Sequence, residues 1–130
     1  MLFIKTKLDK SLIAGIGLIA DQFIPKGTLI WRFEEGFDIR YESNYPDKLP
    51  EIAKEYFLSH AYNDPAVNKW VMCGDDAKYI NHSDNPNVIV TEERFNGETL
   101  AVASRDIAVG EELTINYRSF DSDPFYGFNK

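Results

Sequence analysis

The chain has 130 residues, 44% of them hydrophobic and 14% aromatic, with a formal net charge of −7. That length serves one compact domain around one core, and the apolar content excludes a disordered chain. The charge argues against a general nucleic-acid binder, whose affinity comes from Lys and Arg displacing phosphate counterions.

The opening residues, "MLFIKTKLDK", lack the apolar stretch of a signal peptide. No run in the chain approaches the roughly 18 apolar residues that span a bilayer. A soluble, intracellular protein with no membrane partner is expected, cytoplasmic and nuclear placement being indistinguishable. Cys73 is the sole cysteine, so neither an internal disulfide nor a Cys-rich zinc site can be built.

In chain order, "LIAGIGLIA" and "TLIWRF" read as the first strands, apolar and β-branched, bounded by Gly and Pro. Residues 36–76 have a mixed composition and read as an insert between two strand-rich halves. Between residues 34 and 64 lie eight acidic residues against three basic ones, a field that would steer a cationic partner. Inside this segment "PEIAKEYFLSH", residues 50–60, predicts a helix: Pro suits the first turn, and Ile52 with Tyr56 and Ala53 with Phe57 stand at i,i+4. Its apolar face is expected to join the core. "WVMC", "NVIVTEE", "TLAVAS" and "LTINY" are further strands, and Asn96-Gly97 predicts a tight hairpin joining residues 88–95 to 99–104. The fold class is therefore mainly β. The tail "SFDSDPFYGFNK" carries Phe120, Phe125, Tyr126 and Phe128 and is expected to fold back over the domain.

An internal echo links "ADQFIPKGTLI" to "ASRDIAVGEEL". Ala20, Ile24, Gly27 and Ile30 match Ala103, Ile107, Gly110 and Leu113, as two similar strand–turn–strand units would.

Three clusters bear on chemistry, and none is decisive alone. Gly15-Ile16-Gly17 lets backbone approach a ligand but lacks the third Gly and the helix of a dinucleotide site, so alone it reads as a strand bend. His82 has neither a second histidine at ligand spacing nor a cysteine pair, which speaks against a metal site. Ser83, adjacent to it on extended chain, points to the opposite face and makes a poor hydrolase nucleophile. By itself His82 reads as a packed, hydrogen-bonded histidine.

Together the clusters resemble the SET domain, the family of S-adenosylmethionine-dependent protein lysine methyltransferases. Gly15, Gly17, Ile24, Gly27 and Ile30 match the family's first motif. Lys78, Tyr79, Ile80, Asn81, His82, Ser83, Asp84, Asn85, Pro86 and Asn87 match R-F-I-N-H-S-C-x-P-N. Gly110, Glu111, Glu112, Leu113, Thr114, Ile115, Asn116 and Tyr117 match G-E-E-L-T-x-D-Y.

The resemblance implies a β-clip fold of small curved sheets, with the closing segment threaded in a knot-like crossing and one short helix in the insert. The SET domain would occupy residues 1–120 and the aromatic tail 121–130. It implies S-adenosylmethionine as methyl donor, held at Gly15, Ile16, Gly17, Asn81 and His82 with Lys78 and Tyr79 as neighbours, Tyr117 as the catalytic residue, no metal, and a basic or lysine-containing protein as substrate. Exposed strand edges or the acidic insert offer a surface for a homodimer.

Three positions depart from the family pattern. Asp84 replaces a zinc-binding cysteine, so the zinc-closed end of many relatives is absent, and the aromatic tail is expected either to close the lysine channel, to cover the adenine, or simply to pack. Asn116 replaces an aspartate. Ile115 stands where Phe or Tyr often sets how many methyl groups are added. The rival readings are a catalytically silent SET-like module that binds a basic protein or the cofactor, and a β-rich interaction domain with chance matches.

Overall fold

The computed structural model describes residues 1–95 and 98–122. Ten short strands form three small sheets, and one α-helix, α1 (Glu51–His60), accompanies three single-turn helices among these residues. The mainly β architecture read from the sequence is the one adopted.

Strands β1 (Thr6–Lys10) and β2 (Ile16–Ala20) pair antiparallel as a hairpin. Within β2, Gly17 to Ala20 are all buried, whereas β1 is largely exposed, a polar edge strand. The main sheet holds five strands in the order β3 (Leu29–Arg32), β9 (Glu98–Ala103), β8 (Val88–Phe95), β10 (Thr114–Ile115), β7 (Asn81–His82). Strands β8 and β9 pair up to Phe95 opposite Glu98, so the predicted hairpin is present; its turn, Asn96-Gly97, lies outside the described residues. Leu18, Ile24, Ile30, Val88, Ile107 and Leu113 form the fully buried centre of the core.

The insert builds a unit of its own. Strands β4 (Ile39–Tyr41), β5 (Tyr62–Asp64) and β6 (Lys69–Met72) pair only with one another, in the order β4-β6-β5. Helix α1 packs Phe57 and Leu58 against Tyr41, Trp70 and Met72. Ile52, Ala53 and Tyr56 face solvent instead, with Ile52 85% exposed, so of the expected apolar face only Phe57 is core. Arg40 ties this unit to the main sheet, pairing with the buried carboxylate of Glu98 while its guanidinium lies 3.8 Å from the Phe33 ring centre.

The internal echo is a reciprocal pair of corners. Ile24 and Ile107 exchange backbone hydrogen bonds of 2.9 and 2.8 Å, Gly27 N–H donates to Ala103 O, and Gly110 N–H donates to Ala20 O, both at 2.8 Å. Both glycines sit at φ +86, the left-handed turn that glycine adopts without steric cost.

Strand β10 lies parallel between β7 and β8, which a five-residue loop joins, and this is the crossing that the resemblance implied. Asn87, buried in that loop, clamps it. Its Nδ2 donates to Glu111 Oε2 (2.8 Å) and Glu112 O (2.9 Å), and its Oδ1 accepts from Thr114 N–H (2.8 Å).

Candidate active site

The expected strand over residues 12–20 begins only at Ile16, because Leu12 to Gly15 form an exposed bend between β1 and β2. Ser11 shapes it: its backbone N–H donates to Gly15 O (2.9 Å), and its Oγ accepts from Ile13 N–H (2.9 Å) and Ala14 N–H (3.2 Å). Gly15 has φ +49, and no atom lies within 4 Å of where its side chain would begin, so bare backbone faces open space. Gly17 is the opposite case. A Cβ there would stand 2.7 Å from Glu112 Oε2, so any side chain would push the carboxylate from its place.

Glu112 anchors a polar node beneath this loop. Ser11 Oγ donates to the carboxylate, 2.8 Å from each oxygen. The Nδ2 of Asn81, on β7, lies 2.9 Å from Glu112 Oε2, 3.0 Å from Ser11 Oγ, 3.1 Å from Ala14 O and 3.3 Å from Ile16 O. Ala14, Ile16 and Glu112 present only acceptors, which fixes the amide with its NH₂ toward the node and its oxygen away from it.

Tyr117 stands on the far side of β7. It belongs to a single-turn helix, Tyr117–Ser119, capped by Asn116, whose Oδ1 accepts from Arg118 N–H at 3.0 Å. The asparagine does the capping an aspartate would do, and the cap ends the expected "LTINY" strand at Ile115. The Tyr117 phenol donates to Ile80 O, and its backbone N–H donates to His82 Nδ1 at 3.1 Å. Burial, then the charges of Asp121 and Glu112, push the phenol up to about 12.

Because His82 Nδ1 accepts, the neutral ring carries its proton on Nε2 and gives it to Asp84 Oδ1, 2.9 Å away. Asp84 also receives Arg118 Nη1 at 2.8 Å. Hydrogen bonds from His82 and Arg118 hold the Asp84 carboxyl below its ordinary value. Where many relatives place a zinc-binding cysteine, an acid here ties the N-H-S loop to the turn that carries Tyr117.

A partly open cavity of about 110 Å³ separates the insert from the main sheet, and Tyr117, Ile80, Lys78, Tyr62 and Phe120 help to line it. Tyr62 and Phe120 meet edge to face with centres 5.1 Å apart, and Phe120 and Tyr117 at 6.1 Å. Burial raises the Tyr62 phenol well above 10, and the Cys73 thiol on the same wall to about 12, so both stay neutral. Beyond Phe120 the chain follows β5: Asp121 Oδ1 accepts from Asn63 N–H (3.1 Å), and Ser122 N–H donates to Asn63 O (3.0 Å). Phe125, Tyr126 and Phe128 lie outside the described residues.

Gly15, Ile16, Gly17 and Asn81 are thus brought into one node, with His82 and Tyr117 joined beside it. Lys78 lines the cavity, and Tyr79 packs against α1, its ring 5.3 Å from that of His60; neither side chain hydrogen-bonds the glycine loop. Ser11 and Glu112 were not singled out from the sequence as site residues. Glu112 stood inside the closing motif, but Ser11 lies outside every motif and carried no signal. Among the described residues no group of three or more His, Cys, Asp or Glu is arranged to hold a metal ion. None of their helices is long and apolar enough to cross a membrane.

Solved structures share this architecture. The chain superposes on the Chaetomium thermophilum Polycomb Repressive Complex 2 bound to GSK126 with a TM-score of 0.70 at 21% identity, over 97% of this chain and 17% of that one. On ctPRC2 in an autoinhibited conformation bound to S-adenosylmethionine the TM-score is 0.69 at 22% identity, over 97% and 16%. Residues 15–118 match the SET domain pattern, and the chain belongs to that family. It is 33% identical over 120 residues to human histone-lysine N-methyltransferase 2D, covering 89% of this chain and 2% of that protein. It is 28% identical over 124 residues to histone-lysine N-methyltransferase ASHR3 of Arabidopsis thaliana, covering 92% and 25%. The chain therefore spans a quarter or less of the length of these relatives.

Proposed function

We propose that this domain transfers methyl groups from S-adenosylmethionine to a lysine side chain of a protein. The observation that carries the reading is Tyr117: a half-buried, neutral phenol whose proton is committed to the Ile80 carbonyl, at the wall of a cavity lined by aromatic and apolar side chains and across β7 from the exposed glycine loop. The family and the names of its relatives support the reaction class.

The residues fit the methyl donor. Gly15 lays backbone open to a ligand, and Asn81 Oδ1 makes no hydrogen bond within the node, leaving an acceptor for the donor's ammonium group. Bound there with His82 beside it, the donor supplies an electrophilic methyl group on a positive sulfur.

The protein's share is alignment and desolvation. Since Tyr117 gives its proton to Ile80 O, its oxygen lone pairs accept N–H from the acceptor amine and orient it. A free lysine titrates near about 10.4, and the apolar walls favour its neutral, nucleophilic form. A phenol held up to about 12 remains protonated throughout the neutral range, so it acts by hydrogen bonding and not as a phenolate base. The acidic insert suits a basic segment of the substrate.

The test is mass spectrometry of lysine-rich proteins, histones first, after incubation with the domain and S-adenosylmethionine. Wild type adds methyl groups, and Tyr117→Phe is slower by about 10²-fold, the loss typical of removing one transition-state hydrogen bond. Equal rates in both proteins would overturn the role of Tyr117. Cofactor binding without turnover by wild type would make the domain a silent binding module.

A further inference from the structure

The proposed reaction uses Tyr117 and the glycine loop, but gives no part to the acid that hydrogen-bonds beneath that loop, Glu112. Its carboxylate joins two separated segments, Ser11 before the loop and Asn81 on β7, and fills the space where a side chain on Gly17 would begin. Glu112 itself enters β10, two residues ahead of Thr114 and five ahead of Tyr117. Leu113 N–H donates to Leu18 O (2.8 Å), and Ile19 bridges to Glu112, so this backbone is stitched to β2 on the other side.

We propose that Glu112 and Ser11 are positioning residues for the methyl donor, a role that rests on the function proposed above. Their carboxylate–hydroxyl pair does two things. It sets the orientation of the Asn81 amide: with Glu112 and two carbonyls as acceptors on one side, only the NH₂ can face them, and Oδ1 is turned toward the ligand. It also holds the bend open, because the Ser11 oxygen that accepts from Ile13 and Ala14 is itself oriented by donating its proton to Glu112. Without the carboxylate the Asn81 amide loses its strongest acceptor, and the loop loses the group that fixes Ser11. On this account Gly17 leaves the Glu112 carboxylate its place, which a side chain there would take from it, and Gly15 supplies the positive φ of the bend.

The two glycines of the motif therefore serve different ends, and the acid connects donor binding to the strand that leads into Tyr117. The methyl-transfer cavity lies beyond β7 and includes neither Ser11 nor Glu112 among its walls. Their loss therefore acts chiefly on donor affinity; the charge lost with Glu112 also lowers the Tyr117 phenol, but burial still keeps it protonated at neutral pH and the chemical step largely intact.

The experiment measures S-adenosylhomocysteine affinity by calorimetry and its thermal stabilisation of the protein, for wild type, Ser11→Ala and Glu112→Gln, together with kcat and KM for S-adenosylmethionine. Each variant is expected to bind about tenfold more weakly, as loss of a hydrogen bond to a charged group implies. The ligand-induced rise in Tm shrinks, KM rises and kcat changes by less than a factor of about two. Ser11 is only half-buried, so Ser11→Ala reports even if Glu112→Gln fails to fold. Wild-type affinity in Ser11→Ala, or a loss confined to kcat, overturns the inference and leaves the proposed function standing. Absence of binding by wild type overturns the proposed function, and the inference with it.

Discussion

Tyr117 shows how one residue's surroundings decide its chemistry. Its phenol is raised to about 12 by burial and by the charges of Asp121 and Glu112, while an unfolded tyrosine titrates near about 10. A group whose pKa rises on folding favours the folded state below the unfolded value and loses that advantage as pH climbs through the folded one. Stability referable to Tyr117 is thus constant below pH of about 10 and declines between there and about 12. Denaturant titrations at either end of that interval should show wild type losing more stability than Tyr117→Phe; equal losses would mean that the phenol is not perturbed. His82, one hydrogen bond away, has a different part: its ring holds the Tyr117 backbone, and its other nitrogen is committed to Asp84.

Among the elements, the paired corners at Gly27 and Gly110 offer the cleanest comparison. Both have φ +86, and neither has an atom within 4 Å of its would-be Cβ, so an alanine at either meets backbone strain and nothing else. Gly27→Ala and Gly110→Ala should each cost about 1–2 kcal/mol, equal within error, by thermal or denaturant unfolding. A large inequality would show that the two corners are not equivalent. The repeat behind this symmetry was readable because a turn needs glycine at one position and a buried anchor at another, and both leave fixed letters. The family itself was legible in its motifs, and residues 15–118 match the SET domain. Strand β1 was not: "TKLDK" is an exposed edge whose polar composition is that of a loop, and three-residue strands such as β4 and β5 are too short to show a period. The helix was found in place but not in orientation, since Ile52 and Tyr56 stand at the right spacing for a core face and yet look outward. Ser11 escaped because a serine that caps a bend looks like any other.

For the molecule as a whole, the departure at Asp84 turns out to be a fastening. Relatives that close this end with zinc use cysteines; here the acid joins His82 and Arg118, so the turn carrying Tyr117 is held by hydrogen bonds and charge. The Asp84 carboxyl lies below its ordinary value of 3.8, so the tie is intact above that value and is lost only as the pH falls through the lower folded one. Asp84→Asn should lower kcat by about threefold, in keeping with an exposed pair, with S-adenosylhomocysteine affinity held and the loss constant across the neutral range. A fall in affinity without a fall in kcat would place the fastening elsewhere. The threading of β10 between β7 and β8 has a further consequence, one of timing. The strand leading into Tyr117 is synthesised after the two strands that flank it. A growing chain that stops before Thr114 has the glycine loop and Asn81 but not yet Tyr117. The pairing of β10 with its two neighbours is thus the last to become available, and that late, long-range step is the one expected to govern how fast the domain folds.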